Sequence, residues 1–349
     1  MAWNEETLKD HLKTEELRPV YVLYGEESYL VGQYADKLRR RATDGEDDLD
    51  SFNLHRFDGL KCRFDEIEEA AEALPLMAER TCVTVRDYDV AANGDTHERL
   101  LALLREPNES CVLIFYFDAV KVSPTKNERW KTFLAAAESG GAVVKLDKRT
   151  PEEVVRMLVT GATRRGASMK TDTARLLLEW CGNDLHLLLC ELDKLAALAD
   201  GGEIDRTLVE RAATRNLESR VFELSKAILK GQYTAAYEVL RALFAQKEDP
   251  IMINGVLASA WADLYRVKAA EAAGEQPTAV ATVYAGYKGK EFRLRNASRD
   301  ASRLSVAALR EGLQVLAEAD RRLKFTPADG HIVMEETAAR LILLTRRGN

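Results

Sequence analysis

The sequence predicts an α/β domain followed by an all-α region, and three observations support this fold class. Short apolar runs alternate with helical patterns over residues 1–147, as they do in parallel sheets whose strands are joined by helices. Beyond that point the β-rich runs fade, and helical periodicity continues to the end of the sequence. With 349 residues, the chain is too long for one ordinary core, so we expect two or three domains.

The predicted strands of the first domain, residues 1–147, are short runs rich in valine, tyrosine and phenylalanine. Helical patterns separate most of them, which favours a mainly parallel sheet. The strands are predicted at Val20 to Tyr24, Phe52 to Phe57, Cys82 to Val85, Val112 to Phe117 and Val143 to Leu146.

The second predicted domain, residues 148–212, consists of short helices. Its first helix has a clear start signal, because Thr150 can cap the helix, Pro151 fits the first helical position, and Glu153 stands three residues after the cap. The signal predicts a helix that begins at Pro151.

The third predicted domain, residues 213–349, contains longer helices. Apolar residues recur at helical spacing, as at Val221, Leu224 and Ile228, and this periodicity is typical of one buried helix face. We therefore expect an all-helical domain here.

Composition and charge exclude several classes of protein. The net charge of -7 argues against general nucleic-acid binding, although an acidic chain can still carry a local basic face. The five cysteines include no Cys-x-x-Cys pair and lie mostly in apolar runs, so we expect buried free thiols. No signal peptide and no apolar run of about 20 residues is present, which predicts a cytoplasmic protein without a membrane segment.

The first predicted strand leads through a glycine into a helix, which is the order found in phosphate-binding loops. A working loop has the pattern Gly-x-x-x-x-Gly-Lys-Ser/Thr, in which lysine offsets phosphate charge and the hydroxyl holds magnesium. Here Gly25 is followed by Glu26, Glu27 and Ser28. Carboxylates at a helix N-terminus satisfy its N–H groups and its dipole and repel a nucleotide, so we predict that this loop binds none. On spacing alone, an ordinary strand-turn-helix connection is the alternative to a degenerate nucleotide site.

No catalytic or metal site is predicted. The third strand ends in Arg86 and Asp87, where a hydrolysing NTPase usually has adjacent acids. The five histidines are scattered without a zinc-binding spacing, and no Gly-x-Ser-x-Gly motif occurs. We therefore predict no catalytic residues, no metal and no cofactor.

Several segments together resemble the delta subunit of the bacterial DNA polymerase III clamp loader, a member of the AAA+ superfamily that has lost its nucleotide site. The resemblance extends over nearly the whole chain, and the order and spacing of the segments carry it. The segments are PVYVLYGEESYL near the start, ALPLMAERTCVTVRD at 73–87, GNDLHLLLCELDKL at 182–195, RVFELSKAIL at 220–229, and the helical stretches at 242–268 and 295–324.

The resemblance implies an AAA+-like parallel-sheet domain, a small helical lid domain and a C-terminal helical collar domain. It also implies a function within a pentamer of ATPase clamp-loader subunits, a delta-prime subunit and this chain. Such a subunit binds the ring-shaped sliding clamp (the beta subunit), holds one of its interfaces open and helps to load it on primed DNA. It has no catalytic site of its own, although it is part of a DNA-directed DNA polymerase holoenzyme, a nucleotidyltransferase.

The segment that matches the clamp-binding element of this family is ALPLMAER, residues 73–80. A helix is predicted before it, with Asp65 as its cap and an inward face formed by Ile67, Ala70, Ala71 and Leu74.

Pro75 ends that helical register, and the resemblance assigns Leu76 and Met77 to the two wedge positions that enter the clamp. The family often carries phenylalanine at the second position, so Met77 is a departure and predicts an altered affinity. The assigned clamp-binding residues are Leu74, Pro75, Leu76 and Met77. The alternative interpretation is that Leu76 and Met77 complete the core beneath the next strand.

A basic stretch at 287–303 is a candidate DNA contact, because lysine and arginine side chains bind phosphates and an aromatic ring can stack on an unpaired base. An exposed, solvated helix face is the alternative. The candidate residues are Lys288, Lys290, Arg293 and Arg295, with Tyr287 or Tyr284 for stacking.

Two rival functions stay open at the level of the sequence. The chain could be an active AAA+ NTPase with an unrecognised nucleotide site, or an adaptor that binds partners through its helical C-terminal domain without a role in replication. In the collar, Trp261, Leu264, Tyr265 and Val267 either contact neighbouring subunits or form intradomain core.

Overall fold

The computed structural model describes residues 2–14, 16–43, 52–92, 94–287 and 291–347, and the structural statements below concern these residues. The chain divides into two compact units, Met1–Glu153 and Val154–Asn349. The second unit contains both predicted helical regions except for residues 148–153, and the division between them at residue 212 remains a prediction.

The first unit is built on a five-stranded sheet in which all neighbouring strands pair in parallel. Across the sheet, the second strand of the chain lies at one edge and is followed by the third, the fourth, the first and the fifth. The predicted α/β class is therefore confirmed for this unit. Every residue of the first strand is buried, as expected for a strand covered on both faces of a parallel sheet. The strands are β1 (Val20–Tyr24), β2 (Leu54–Asp58), β3 (Thr81–Arg86), β4 (Cys111–Tyr116) and β5 (Gly141–Lys145).

Helices precede and connect these strands, and their apolar faces pack on the sheet. The core includes Val22, Val83, Phe115 and Phe133, all fully buried. The helices are α1 (Glu5–Thr14), α2 (Ser28–Ala42), α3 (Phe64–Glu72), α4 (His97–Arg105) and α5 (Glu128–Gly140).

The last strand of the sheet begins two residues earlier than the predicted run at Val143. Gly141 pairs with Val20, and a Cβ atom at residue 141 would lie 2.0 Å from the Val20 carbonyl oxygen. Only glycine permits this approach of the two strands, and glycine is depleted in strands generally. The strand start was therefore missed in the sequence.

The second unit begins with short helices, as predicted. The first of them, α6 (Pro151–Arg164), contains the division between the two units. It starts at Pro151, and the Glu153 N–H donates to the Thr150 hydroxyl oxygen over 3.3 Å. The predicted cap is thus confirmed. The elements that follow are β6 (Ser168–Met169), α7 (Thr171–Cys181), α8 (Leu185–Ala199), β7 (Glu203–Ile204) and α9 (Arg206–Ala212).

Longer helices form the rest of the second unit and confirm the all-α prediction for this region. The face formed by Val221, Leu224 and Ile228 is fully buried. The helices are α10 (Leu217–Leu229), α11 (Tyr233–Ala245), α12 (Pro250–Ala272), α13 (Val280–Val283), α14 (Glu291–Asp300), α15 (Val306–Phe325) and α16 (Gly330–Arg347).

Three of the four collar residues suggested as subunit contacts are intradomain core instead. Trp261, Leu264 and Val267 are buried within the second unit. The Trp261 indole lies so close to Gly312 that a Cβ atom at residue 312 would be 2.2 Å from the ring. Tyr265 is partly buried against the same core. These residues hold α12 against α15, so an intersubunit role for the three buried side chains is excluded.

The cysteine prediction holds for three of the five residues. Cys82, Cys111 and Cys181 are buried, whereas Cys62 is half-buried and Cys190 is exposed. Burial raises the pKa of the Cys82 and Cys181 thiols to about 12, so these thiols stay protonated and unreactive at neutral pH. Among the helices of the described residues, none is long and apolar enough to cross a membrane.

Candidate functional site

The segment between α3 and β3, residues 73–80, forms a loop that we call the apolar tip. It joins the amino-terminal end of β3, next to the amino-terminal end of β2, which pairs with β3 in parallel. The loop after β1, which starts at Gly25, leaves the carboxyl end of its strand. In a parallel sheet these are opposite edges, so the apolar tip and the Gly25 loop are separated by the length of the strands.

The apolar side chains of the tip face solvent. Leu74 is 82% exposed, Leu76 is 58% exposed and Met77 is fully exposed, while Pro75 is half-buried. Scattered single exposed apolar residues are ordinary in proteins, but three within four positions of one loop form a patch of the kind that marks interaction sites. The alternative interpretation of Leu76 and Met77 as core residues is therefore excluded.

The prediction that Leu74 belongs to the inward face of α3 is wrong. The helix ends at Glu72, and Ala73 has the extended backbone angles φ -64° and ψ 139°. Since proline disfavours the helical conformation of the residue before it, Pro75 ends the helix upstream of Leu74. Ile67, Ala70 and Ala71 are buried as predicted.

The predicted cap of α3 is also wrong by two residues. The helix begins at Phe64, and Arg63 is its cap residue, whose backbone N–H donates to Glu66 over 2.8 Å. Asp65 lies in the first turn and pairs with Arg99. The buried Phe64 ring extends the apolar face by one turn, so the helix starts earlier than its acidic residues indicate.

One residue that sequence reasoning missed holds the middle of the tip. The Leu76 N–H donates to the Asn53 side-chain oxygen over 2.6 Å, and the Asn53 side-chain amide donates to the Leu76 carbonyl over 2.8 Å. Asn53 itself is fixed to the sheet, because its carbonyl accepts the Cys82 N–H over 2.7 Å. The signal for this contact was absent from local patterns, since the two residues lie 23 positions apart in the chain.

Met77 has a left-handed backbone, with φ 53°. A side chain other than glycine, asparagine or aspartate pays about 1 kcal/mol or more in this conformation. Burial of the Met77 side chain does not offset this conformational cost, because the side chain is fully exposed. Such strain is typical of functional loops, where the surrounding structure imposes the conformation.

Both ends of the tip are anchored as well. At one end, the Asn108 side-chain amide donates to the Ala71 carbonyl over 3.3 Å. At the other end, the Arg80 guanidinium donates to the Leu17 carbonyl over 3.3 Å and pairs with Glu16. The tip is therefore a supported loop that presents exposed apolar side chains.

The loop after β1 packs against the main chain that follows β5. Gly25 has φ 152°, and a Cβ atom there would lie 2.0 Å from the Leu146 carbonyl oxygen. That carbonyl accepts the Glu27 N–H over 3.1 Å, and the Leu146 N–H donates to the Tyr24 carbonyl over 2.7 Å. The N–H group that a phosphate-binding loop would offer to a ligand thus already has a protein partner, which argues against nucleotide binding.

The acidic residues of this loop act differently from the prediction. Glu27 is buried and is the cap residue of α2, but its side chain makes no capping hydrogen bond. Glu26 and Ser28 are exposed. The Leu146 carbonyl, rather than a carboxylate, therefore satisfies the Glu27 N–H at this helix start.

Asp87, at the end of β3, is part of a closed polar cluster. One of its oxygens accepts the backbone N–H groups of Asp118, Ala119 and Val120 over 3.1, 3.0 and 2.9 Å. Burial opposes ionisation, but hydrogen bonds from Asp118 and these N–H groups lower the pKa of Asp87. Burial and the neighbouring Asp87 raise the pKa of Asp118, which also pairs with Arg86. The acid that would hold magnesium in an NTPase is occupied by the protein itself.

Two of the proposed DNA contacts, Tyr287 and Arg293, are bound to Asp263 within the protein, although Arg293 is partly exposed. Tyr287 is buried, its hydroxyl donates to Asp263, and it accepts from Arg266 over 2.6 Å. The Arg293 guanidinium pairs with Asp263 and donates to the Ser259 hydroxyl over 3.2 Å. Base stacking by Tyr287 is thus a wrong prediction, and the charge of Arg293 is offset within the protein.

The other candidates in this stretch have different settings. Arg295 is exposed, and Tyr284 is 45% exposed with the Arg266 guanidinium 4.4 Å from its ring centre. Lys288 and Lys290 lie outside the described residues. No cluster of three or more histidine, cysteine, aspartate or glutamate side chains suited to a metal ion occurs in the described part of the chain.

Comparison with known proteins gives a consistent result. A family model described as "DNA polymerase III, delta subunit" matches residues 21–139, and one for the C-terminal domain of the same subunit matches residues 218–341. Together the models match well over half of the chain. The first match contains both the Gly25 loop and the apolar tip.

Individual relatives agree with the family models. The DNA polymerase III subunit delta of Bacillus subtilis is 25% identical over 93% of both chains. A probable subunit delta of Aquifex aeolicus is 26% identical over 73% of this chain and 72% of the relative. The structure of the Bacillus subtilis DNA clamp loader delta protein has the same fold, with a TM-score of 0.65, 23% identity and coverage of 97% of this chain and 99% of that chain.

One family model covers most of the sheet with its exposed loop, and the other covers helices of the second unit. Both models describe the same subunit. The chain belongs to the DNA polymerase III delta subunit family.

Proposed function

We propose that this chain binds the sliding clamp through the apolar tip, holds one interface of the clamp ring open, and helps to load it on primed DNA in the cytoplasm. It does so as the subunit without nucleotide in a complex with ATPase subunits and a delta-prime subunit. Family membership supports the place in replication, and the geometry of the tip supports the mode of clamp binding.

The exposure of Leu76 and Met77 is the observation that carries this proposal. Two apolar side chains at a supported loop can each contribute roughly 1.5 to 3 kcal/mol when they enter a pocket of a partner. Binding at that level makes them the energetic centre of a small interface, surrounded by weaker contacts. Because both side chains face solvent, their removal should leave the fold of the unit intact.

The clamp is held without nucleotide in this proposal. The Gly25 loop is closed by the Leu146 carbonyl, and Asp87 is occupied by three backbone N–H groups. ATP would therefore be used by the neighbouring subunits. The arrangement of those subunits would determine whether the tip of this chain can reach the clamp.

The test is size-exclusion chromatography of the chain mixed with the sliding clamp, with and without ATP. A complex that elutes identically in both conditions is the expected result. The double variant Leu76→Ser with Met77→Ser should lose the complex while its thermal unfolding stays unchanged. The matched control is Leu60→Ser, which removes an apolar side chain that is 61% exposed at the carboxyl edge of the same sheet and should bind normally.

Three outcomes would contradict the proposal. A complex that forms only with ATP indicates a nucleotide site in this chain. Absence of any complex favours an adaptor function without the clamp. A double variant that binds normally, or that unfolds, shows that the tip is not the contact.

The DNA contact is proposed on a narrower set of residues than the sequence suggested. Exposed Arg295 can reach phosphates, and half-exposed Tyr284 replaces Tyr287 as the ring for stacking. Lys288 and Lys290, which precede α14 in the chain, complete the basic stretch of this proposal.

A further inference from the structure

We infer that Asn53 is a positioning residue that holds the apolar tip in its binding conformation before the clamp arrives. The inference rests on the proposed function, because it explains how the same tip binds. Asn53 lies outside the segment that the family resemblance assigned to the clamp, and its side chain contacts that segment.

The Asn53 side chain forms hydrogen bonds to two backbone groups of Leu76. The Asn53 amide oxygen accepts from the Leu76 N–H over 2.6 Å, and the amide nitrogen donates to the Leu76 carbonyl over 2.8 Å. An asparagine amide has one acceptor and one donor side, so both polar groups of a single residue are held at once. The directions in which Leu76 and the next side chain project are thereby restricted.

The platform beneath this contact is rigid. Asn53 directly precedes β2, and its own carbonyl accepts from Cys82 over 2.7 Å, so its backbone continues the ladder between β2 and β3. Side chains that start from a sheet are placed more accurately than those that start from a loop. The position of the tip is therefore fixed by the sheet as well as by the two ends of the tip.

Holding the tip matters for two reasons. A free loop loses backbone entropy when it is ordered on a partner, and a loop that is already ordered avoids that loss. Met77, which follows the held residue, has a left-handed backbone that an unsupported chain would leave. Asn53 therefore favours the conformation in which both apolar side chains project to solvent.

The contact has the character of a loop support and not of a core contact. Both of its hydrogen bonds are solvent-exposed, and Leu76 is itself exposed. Loss of these bonds should therefore change the order of the tip more than the stability of the unit.

The test combines clamp affinity with amide hydrogen exchange of the full chain. In Asn53→Ala, the Leu76 amide should exchange faster than in the parent chain, and the dissociation constant for the clamp should rise roughly tenfold, as expected for the loss of two exposed hydrogen bonds. Asn53→Asp preserves the shape but turns a donor toward the Leu76 carbonyl into an acceptor. It should weaken binding at least as much.

Asn127→Ala is the matched control. Asn127 caps α5 by accepting the Arg129 N–H over 2.9 Å, so this variant loses an asparagine hydrogen bond in the same unit without touching the tip. It should lower stability to a similar degree and leave both clamp affinity and the exchange of the Leu76 amide unchanged.

Distinct results separate the inference from the proposed function. If the serine double variant of the tip loses the clamp but Asn53→Ala and Asn53→Asp bind as the parent does, only the positioning role is wrong. If the Leu76 amide already exchanges at the rate of an unfolded chain in the parent protein, the inference fails whatever the variants do. If the serine double variant binds normally, the proposed function fails at this site.

Discussion

Single residues at the tip support the proposed function, and Met77 occupies a position at which the resemblance implies that phenylalanine is common. Its side chain is flexible and polarizable and can fill a pocket of irregular shape. It offers less rigid area than an aromatic ring, and aromatic side chains are enriched among the residues that dominate binding energy.

Replacing Met77 by phenylalanine should therefore strengthen clamp binding, by about threefold to tenfold, because a rigid ring buries more area with fewer rotatable bonds. Surface plasmon resonance against immobilised clamp measures the change, which we expect mainly in the dissociation rate. Thermal unfolding should stay the same, since residue 77 is fully exposed. Leu60→Phe serves as the control. An equal gain in clamp affinity in that variant would mean that the gain comes from non-specific hydrophobic binding.

At this scale the exposure of Leu76 and Met77 was predicted better than the structure around them. Leu76 and Met77 are exposed as the resemblance implied. Leu74 was predicted to be buried because the helical periodicity was extended as far as residue 74. The helix in fact ends at Glu72, before Pro75. The Asn53 contact joins residues far apart in the chain, so no local pattern could reveal it.

Every predicted strand of the five-stranded sheet ends within two residues of the observed end, because each run of β-branched and aromatic residues coincides with a strand. The remaining differences have physical causes. Gly141 lies in a strand because two backbones approach there too closely for a side chain, and the short strands β6 and β7 pair only two residues each. Such features depend on tertiary contacts, which periodicity does not contain.

Helix α1 is attached to the first unit through Glu5, and this attachment depends on pH. Glu5 accepts from the Tyr34 hydroxyl over 2.9 Å, from Arg149 over 2.7 and 2.8 Å, and from Lys9 over 2.7 Å. Burial acts to raise the pKa of Glu5, but the hydrogen bonds from Lys9, Arg149 and Tyr34 outweigh it and lower the pKa.

Because the folded pKa lies below the unfolded one, the contribution of Glu5 to stability is present above the ordinary carboxyl pKa of 4.5 and is lost as pH falls through the folded value. Glu5→Gln should thus lower the free energy of unfolding at pH 7 by about 1 kcal/mol. Urea unfolding between pH 7 and pH 3 measures this. The curves of variant and parent should converge at low pH, and a constant difference would contradict the assignment.

The whole molecule combines a sheet unit with a helical unit, and the proposed DNA contact belongs to the second. Its test requires the assembled loader, because the chain alone has a net charge of -7, which opposes binding to the phosphate backbone. Binding of primed DNA to such an assembly should weaken with salt in proportion to the number of phosphates contacted.

Changing Lys288 and Lys290 to alanine should reduce the slope of log affinity against log salt concentration by roughly 1 to 2, because each lost phosphate contact contributes about 0.9. Fluorescence anisotropy with labelled primed DNA gives the slope. The double variant Lys121→Ala with Lys126→Ala removes the same charge from exposed positions of the sheet unit and should keep the parent slope. An unchanged slope in the first variant would remove this stretch from the DNA contact.

The contact between the Leu146 main chain and Gly25 determines what it would take to open this loop to a nucleotide. Glycine is required at residue 25 for a reason unrelated to phosphate, because any side chain there would collide with the Leu146 carbonyl oxygen. Replacing Glu26 or Glu27 by lysine would correct the charge of the loop, but the Leu146 carbonyl would still accept the backbone N–H of residue 27. Opening this loop to a nucleotide would therefore require a shift of the main chain after β5 as well as a change of side chains.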